Sequence, residues 1–259
     1  MNSSNRFSGV TRLYGVDGHR ALTHSHVVII GIGGVGSWAA EALARTDVGH
    51  LTLIDLDDVS ETNINRQLHA MSSTIDQSKT ELMKQRILDI NPACCVTDIG
   101  DFVTPNNVGD LIPNTADVII DAIDAVKAKA AIIAFAKRAK IKIITTGGAG
   151  GKIDPLQITK GDLAKTIQDP LSAKVRSELR RNYGFSNNPK RRFGVECIYS
   201  TEQLRYPTKD GGVSREKQQQ QGSGKMDCNT GFGSFVAVTS NVGMMAAARA
   251  IDYITRQSS

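Results

Sequence analysis

The chain has 259 residues, a length that fits one large α/β domain ahead of two small ones, and with 40% of them hydrophobic and 22% charged its composition argues against a disordered or fibrous protein. Lysine and arginine outnumber aspartate and glutamate by 31 to 26, a net +5 that permits a polyanionic partner without requiring one. Four cysteines (Cys94, Cys95, Cys197 and Cys228) form no CxxC pair and suggest no disulfide framework, so a reducing cytoplasm fits best.

No apolar stretch of the signal-peptide kind opens the sequence. Residues 6–26 hold Arg6, Arg12, Tyr14 and Gly15, then a short amphipathic segment with His19, His24 and His26. His24 and His26 lie too close for the i,i+4 pair of a helical zinc site, so these histidines are expected to be solvated or hydrogen bonded.

An apolar run, Val27 to Ile30, enters Gly31-Ile32-Gly33-Gly34-Val35-Gly36, then a helix, then Leu51-Thr52-Leu53-Ile54-Asp55. Gly31 allows a tight turn, Gly33 and Gly34 let backbone approach a phosphate, and Gly36 lets helix and strand pack closely. Phosphates would sit on the helix N-terminus, where amide groups lack partners and the macrodipole is positive. Asp55 would accept from a ribose hydroxyl. A lone GxGxxG is weak, but strand, helix and strand-ending acid supply its context.

Trp38, Ala39, Ala42 and Leu43 recur at helical spacing, and Gly49 marks the stop. Residues 56–67 are too polar for a core element. Asp76 or Ser78 can cap a helix carrying Leu82, Ile87 and Ile90 on one stripe, ended by Asn91-Pro92. Lys79 stands in its first turn, where the macrodipole disfavours a cation. A local anion would explain it, and an exposed lysine tolerated at small cost is an equally ordinary reading.

Strands are predicted at Val96–Ile99 and Val118–Asp121, the latter running into Ala122, Ile123 and Asp124. Ligands of an open parallel sheet lie outside the carboxyl ends of its strands, so Asp55 and Asp124 point to one crevice. A helix over Lys127–Lys140 and a strand over Ile141–Thr145 lead to Gly147-Gly148-Ala149-Gly150-Gly151, which implies close backbone approach to a ligand or a mobile turn.

From Lys152 the pattern changes. A strand over Lys152–Thr159, a turn over Asp162–Ile167, a basic helix over Leu171–Asn182 and a strand over Val195–Ser200 are expected. Thr208 to Lys225, with Gln218 to Gln221, reads as a low-complexity flexible loop. A last helix covers Ser234–Thr255. Residues 231–251 are the sole membrane candidate, yet Ser234, Thr239, Ser240, Asn241 and Arg249 favour a helix buried in protein, with membrane association through 231–251 as the alternative. The pattern predicts one domain, 1–259. Its architecture is a Rossmann-like, doubly wound, mostly parallel α/β sheet with helices on both faces, a C-terminal extension, a basic segment at 171–192 and a flexible loop at 208–226.

In the basic segment, Lys174, Arg176, Arg180, Arg181, Lys190, Arg191 and Arg192 face only Glu178. A solvated helix and a nucleic-acid footprint have about equal standing. A dinucleotide enzyme explains the glycine loop but not Arg66, Lys79 and Asp124. A triphosphate brings about four negative charges, so a site cleaving it needs cations on the phosphates and a carboxylate for a divalent metal. Attack of a substrate carboxylate on the α-phosphate would give an acyl adenylate and pyrophosphate.

The combination of GIGGVG (31–36), LIDLDDV (53–59), Asn63-x-x-Arg66-Gln67, Lys79 and Asp124 resembles the adenylating enzymes related to ubiquitin-activating enzymes and to the bacterial activators of molybdopterin and thiamine sulfur carriers. Within that superfamily, RLYG (12–15), GIGGVGSWAAEALART (31–46), DAID (121–124), TTGGAGGKIDP (145–155), DLAKTIQDPL (162–171) and MDC (226–228) with GFG (231–233) are similar to the dehydratases of threonylcarbamoyladenosine in tRNA, across nearly the whole chain.

This resemblance implies ATP as cofactor. Gly33, Gly34, Gly36, Asp55 and Asp57 would bind the nucleotide, Asn63, Arg66 and Lys79 the phosphates, with Gln67 beside them, and Asp124 a Mg2+ ion. Arg66, Lys79 and Asp124 are the implied catalytic residues. Arg176, Arg180, Arg181, Lys190, Arg191 and Arg192 are assigned to tRNA, and a homodimer and a sulfur-transfer protein partner are further expectations. The sulfur-carrier activators hold zinc with two CxxC pairs, which are missing here, so no zinc is expected. They also send an N-terminal arginine into the partner's site; Gly9 stands at the matching position, leaving Arg6 or Arg12 as substitutes. Cys228 is the candidate nucleophile, with a structural thiol the favoured reading. The expected reaction is ATP-dependent cyclisation of the threonylcarbamoyl group, and the alternative is adenylation of a ubiquitin-like or sulfur-carrier protein C-terminus.

Overall fold

The structure, a computed structural model, describes residues 5–208, 210–216 and 232–256. In chain order its elements are α1 (Ser8–His24), β1 (His26–Ile30), α2 (Gly36–Ala44), β2 (His50–Ile54), α3 (Lys79–Ile90), β3 (Cys95–Ile99), α4 (Val108–Leu111), β4 (Val118–Asp121), α5 (Val126–Ala139), β5 (Lys142–Thr146), β6 (Ile158–Asp162), α6 (Pro170–Asn182), β7 (Glu196–Ser200), a small hairpin of β8 (Tyr206–Pro207) and β9 (Val213–Ser214), and α7 (Val236–Arg256).

Seven strands form one sheet in the order β3-β2-β1-β4-β5-β7-β6, parallel throughout except for β6, which runs antiparallel to β7. The order reverses at β1, which pairs with β2 on one side and β4 on the other, the switch point where an open α/β sheet places its ligand crevice. Alternation along β1 builds two cores. Val27 and Ile29 face α2, α3 and α7, while Val28 and Ile30 face α5 and α6. This is the doubly wound α/β sheet that the apolar strand runs predict.

The C-terminal helix belongs to the first core. Val238, Val242, Ala246, Ala247 and Ala250 are buried, and a Cβ at Gly243 would lie 2.3 Å from the Val35 carbonyl oxygen, so glycine is what lets α7 meet the start of α2. Among the described residues no helix is long and apolar enough to cross a membrane.

Two local expectations need correction. The strand expected over 152–159 begins only at Ile158, because Asp154 accepts from the Leu156 amide and Pro155 opens a 3-10 turn. The short segment at the N-terminus is a 17-residue helix broken at Gly15, whose φ of +74° a β-carbon would oppose. Most of the expected loop at 208–226, together with Cys228, lies outside the described residues.

Candidate active site

The glycine loop turns between three elements. Gly31 has φ +87°, and a Cβ there would stand 2.8 Å from Ile123 Cγ2 and 3.1 Å from the Ala122 carbonyl carbon. At Gly36 a Cβ would meet the Gly31 carbonyl oxygen at 1.8 Å, so α2 can start against the turn only with glycine there. Gly33 and Gly34 admit side chains from the polar segment that follows β2: their Cβ positions fall 3.7 Å from Gln67 Nε2 and 3.1 Å from Arg66 Cγ.

Asp55 braces this loop. Its Oδ2 accepts from the Ile32 amide at 2.6 Å and its Oδ1 from the Asp57 amide at 2.9 Å, and a carboxylate so held retains lone pairs for a ligand hydroxyl. Burial pushes its pKa above the ordinary value, against the two amides and the charge of Lys79.

The polar segment runs beside the glycine loop. Asn63 is buried at the end of a 3-10 turn, its Oδ1 accepting from the Ser60 amide. The Arg66 guanidinium donates to the Thr62 carbonyl at 2.7 Å and to Asn65 Oδ1 at 3.0 Å, while its own carbonyl accepts from Trp38 Nε1 on α2. Asn65 Nδ2 donates to the Ser234 carbonyl just before α7, so the segment is tied at both sides. Gln67 Oε1 is buried with no hydrogen-bond partner among the described residues, and so are both ring nitrogens of His69. Burial, then the charge of Lys79, lowers the His69 pKa to about 4, which keeps the ring neutral.

Ser78 rather than Asp76 caps α3, accepting from the Glu81 amide. Lys79 follows in the first turn, and the local anion that its position calls for is Asp57, at 2.9 Å. Asp124 is exposed at the carboxyl end of β4. Beneath it, Lys129 and Asp121 are fully buried and paired at 3.0 Å. Lys129 Nζ also donates to the carbonyls of Asp121 and Ile123 at 3.2 and 2.9 Å, and Thr145 Oγ1 donates to Asp121 Oδ2 at 2.7 Å. Sequence reasoning missed this pair. The available signal was an acid at the end of a wholly apolar strand, which burial permits only with a partner.

Among the described residues no group of three or more histidine, cysteine or acidic side chains could hold a metal ion. Asp124 on the crevice edge fits instead an ion such as Mg2+, which binds one or two carboxylates and takes its remaining ligands from water and nucleotide phosphates.

The second glycine run is packed closely against other parts of the chain. A Cβ at Gly147 would lie 2.0 Å from Asp169 Oδ2, which accepts from the Gly148 amide at 2.9 Å, and Asp169 Oδ1 caps α6 through the Ser172 amide. Lys152, also buried, donates to the Ser200 carbonyl, and desolvation lowers its pKa against the charges of Asp169 and Glu202.

The basic segment divides. Arg176 bonds to the Leu163 carbonyl and to Thr166, and Arg180 donates to the Ser186 carbonyl and lies 5.4 Å from the Phe193 ring centroid. Lys174, Arg181, Lys190, Arg191 and Arg192 are exposed. Arg6 donates to the Asp89 and Ile90 carbonyls at the end of α3, and Arg12 is exposed. Burial first, then neighbouring negative charge, pushes the Cys94 and Cys197 thiols up to about 12, which removes them as nucleophiles.

The ThiF family model matches residues 7–259. The chain is 51% identical to the tRNA threonylcarbamoyladenosine dehydratase of Escherichia coli over 246 residues, covering 95% of this chain and 92% of that protein. It is 50% identical to the protein of the same name from Haemophilus influenzae over 258 residues, covering 100% and 96%. A crystal structure of the E. coli tRNA N6-threonylcarbamoyladenosine dehydratase, TcdA, in complex with ATP superimposes with a TM-score of 0.85 at 46% identity, covering 97% of this chain and 94% of that one.

Proposed function

The chain belongs to the ThiF family, and from half-identity with dehydratases along almost its whole length we infer that it is an ATP-dependent tRNA threonylcarbamoyladenosine dehydratase. That identity is the observation that carries the reading. The glycine loop with Arg66 and Lys79 beside it is the arrangement such chemistry requires.

The threonyl carboxylate of the modified nucleoside attacks the α-phosphorus of ATP, and pyrophosphate leaves. A nucleophile of the same threonylcarbamoyl group then attacks the acyl carbon, the ring closes, and AMP departs carrying the carboxylate oxygen. The net change is loss of water from the nucleoside. Because both groups sit in one molecule, positioning supplies much of the rate advantage.

Gly33, Gly34 and Gly36 bring backbone amides to the phosphates, Asp55 takes the ribose, with Asp57 beside it, and Asn63, Arg66, Gln67 and Lys79 line the phosphate side. Arg66 and Lys79 stabilise the charge that moves onto pyrophosphate. Asp124 would hold a magnesium ion, which when bound with ATP neutralises phosphate charge. The chain works as one adenylating domain and as a homodimer in the cytoplasm; exposed Leu13 and Val16 on α1 favour a second copy, and Arg12 is the arginine free to reach it. A sulfur-transfer protein is a further partner. The ring closure needs no enzyme thiol, since the activated carboxylate is captured within its own nucleoside, so Cys228→Ser retains cyclisation.

The test supplies enzyme, Mg-ATP and tRNA bearing threonylcarbamoyladenosine. Nucleoside mass spectrometry should find a product lighter by one water, with one AMP and one pyrophosphate per turnover. ADP and phosphate as products, or ATP-dependent modification of a carrier protein with an unchanged nucleoside, would overturn the reading.

A further inference from the structure

At the far end of α5 and α6 lies an open depression of about 400 Å³, lined by Lys137, Arg138, Tyr183, Phe185, Arg192 and Phe193 among others, with no acidic residue in its lining. Its floor is ordered: Phe193 is buried, Phe185 meets it edge to face at 4.9 Å, and Arg180 lies over the same ring. Lys137, Arg138 and Arg192 are exposed around it. Aromatic faces ringed by cations are what an unstacked nucleotide needs, since the base stacks on the ring and the phosphates meet the charges. The volume suits one such nucleotide.

Its place in the fold sets its distance from the reacting centre. α5 starts at the carboxyl edge of the sheet beside Asp124 and runs 14 residues to Arg138 and Ala139. At 1.5 Å per residue that is about 20 Å. α6 runs alongside from Asp169, which sits under the Gly148 amide, to Asn182 next to the depression. Exposed Lys174 and Arg181, seven residues apart, lie on one face of α6 between the two ends. Glu178 stands between them on that face, so the concentrated positive charge belongs to the depression itself rather than to a continuous track along α6.

We propose that this depression is a remote tRNA anchor: it seats one unstacked nucleotide of the substrate about 20 Å from the nucleoside being cyclised, with Tyr183 or Phe185 under the base and Arg138, Arg192 and Lys137 on the flanking phosphates. The proposal rests on tRNA being the substrate. It adds Lys137, Arg138, Tyr183 and Phe185 to the tRNA surface. It also gives Arg180 the work of holding the floor through Phe193 and the Ser186 carbonyl, rather than of touching phosphate.

The experiment compares the wild type with Arg138→Glu/Arg192→Glu, and with Arg20→Glu/Lys160→Glu, which changes the net charge equally on other exposed surfaces. Turnover of threonylcarbamoyladenosine-bearing tRNA should show KM for tRNA raised by at least about tenfold in the first variant alone, as loss of a charge-assisted contact implies, with kcat and KM for ATP unchanged. The log–log salt slope of tRNA binding should fall by about 2, one per cation lost. Ultraviolet crosslinking of bound tRNA should label a peptide within 183–193 in the wild type and lose that label in Tyr183→Ala. An unchanged KM, an equal effect in the control pair, a crosslink elsewhere only, or displacement of the label by an acidic peptide but not by tRNA would overturn the anchor. Wild-type enzyme that binds tRNA but never cyclises it would sink the proposed function instead, and binding and crosslinking would still decide the anchor.

Discussion

Lys79 Nζ lies 2.9 Å from Asp57 Oδ2, with the lysine side chain 6% exposed and the aspartate 54%. A cation in the first turn of α3 opposes the helix dipole, and the carboxylate offsets that. The two partners are unequal. The aspartate, half in water, can turn outward and leave the lysine charge to a phosphate, whereas the lysine has little room to move. Lys79→Met should keep a cooperative thermal transition while lowering AMP formation by about a hundredfold, the usual scale for removing one group that stabilises developing charge. Melting curves alongside product assays check it, and activity within threefold of wild type would count against Lys79 as a phosphate cation.

Gly34 tests the glycine loop without disturbing the core. An added methyl would press on Arg66 Cγ at 3.1 Å and Cδ at 3.3 Å. These atoms belong to a flexible side chain, so the arginine shifts and the fold stays. Gly34→Ala should lower kcat/KM for ATP by about tenfold or more through the displaced guanidinium, with a thermal midpoint near that of the wild type. Gly36→Ala, by contrast, meets backbone at 1.8 Å and should fail to fold stably. Equal loss of stability in the two variants would contradict this division.

The buried Lys129–Asp121 pair makes a stability prediction. Lys129→Ala leaves a buried carboxylate and removes the donor to two carbonyls, so unfolding by urea should show a loss of about 3–5 kcal/mol. Lys129→Met with Asp121→Asn removes both charges and should recover part of it. Recovery of stability without recovery of turnover would show that the corner beneath Asp124 also positions the site.

Stability should fall as the solution is acidified. His26 bonds to Thr115 and Thr52 and stacks on His50 at 3.6 Å. Burial, then the charge of His50, lowers its pKa from 6.5 to about 4, with Asp117 opposing. His69 is lowered to about 4 as well. Between these values the unfolded chain binds more protons than the folded one, so stability present above pH 6.5 declines as pH falls toward 4. Glu41 continues the trend. Its burial raises the pKa, but hydrogen bonds from Arg86 and Arg45 outweigh that and hold it below 4.5, so its contribution is full above that value and disappears as pH drops through the lowered pKa. Thermal midpoints between pH 7 and 4 should decline less in His26→Gln than in the wild type; parallel declines would remove His26 from the account.

The sequence alone carried whatever short-range chemistry sets. The turn at Gly31, the close start of α2 at Gly36, the apolar strands and the Asp55 and Asp124 positions at their ends follow from backbone freedom, hydrophobic period and strand direction, all of which act within a few residues. What a charged side chain meets depends on which distant segment packs beside it, and that only the tertiary structure decided. Lys79 faces Asp57, 22 residues earlier in the chain. Lys129 turns inward to Asp121 instead of outward from its helix, and Gly147 makes room for the Asp169 carboxylate. Arg176 and Arg180, read with the exposed cations, are half-buried and bond to carbonyls of the chain itself, while Arg138 lines the same depression as Arg192 from another helix. Burying a charge requires a partner at the right place in space, and no local pattern of residues records where that partner stands.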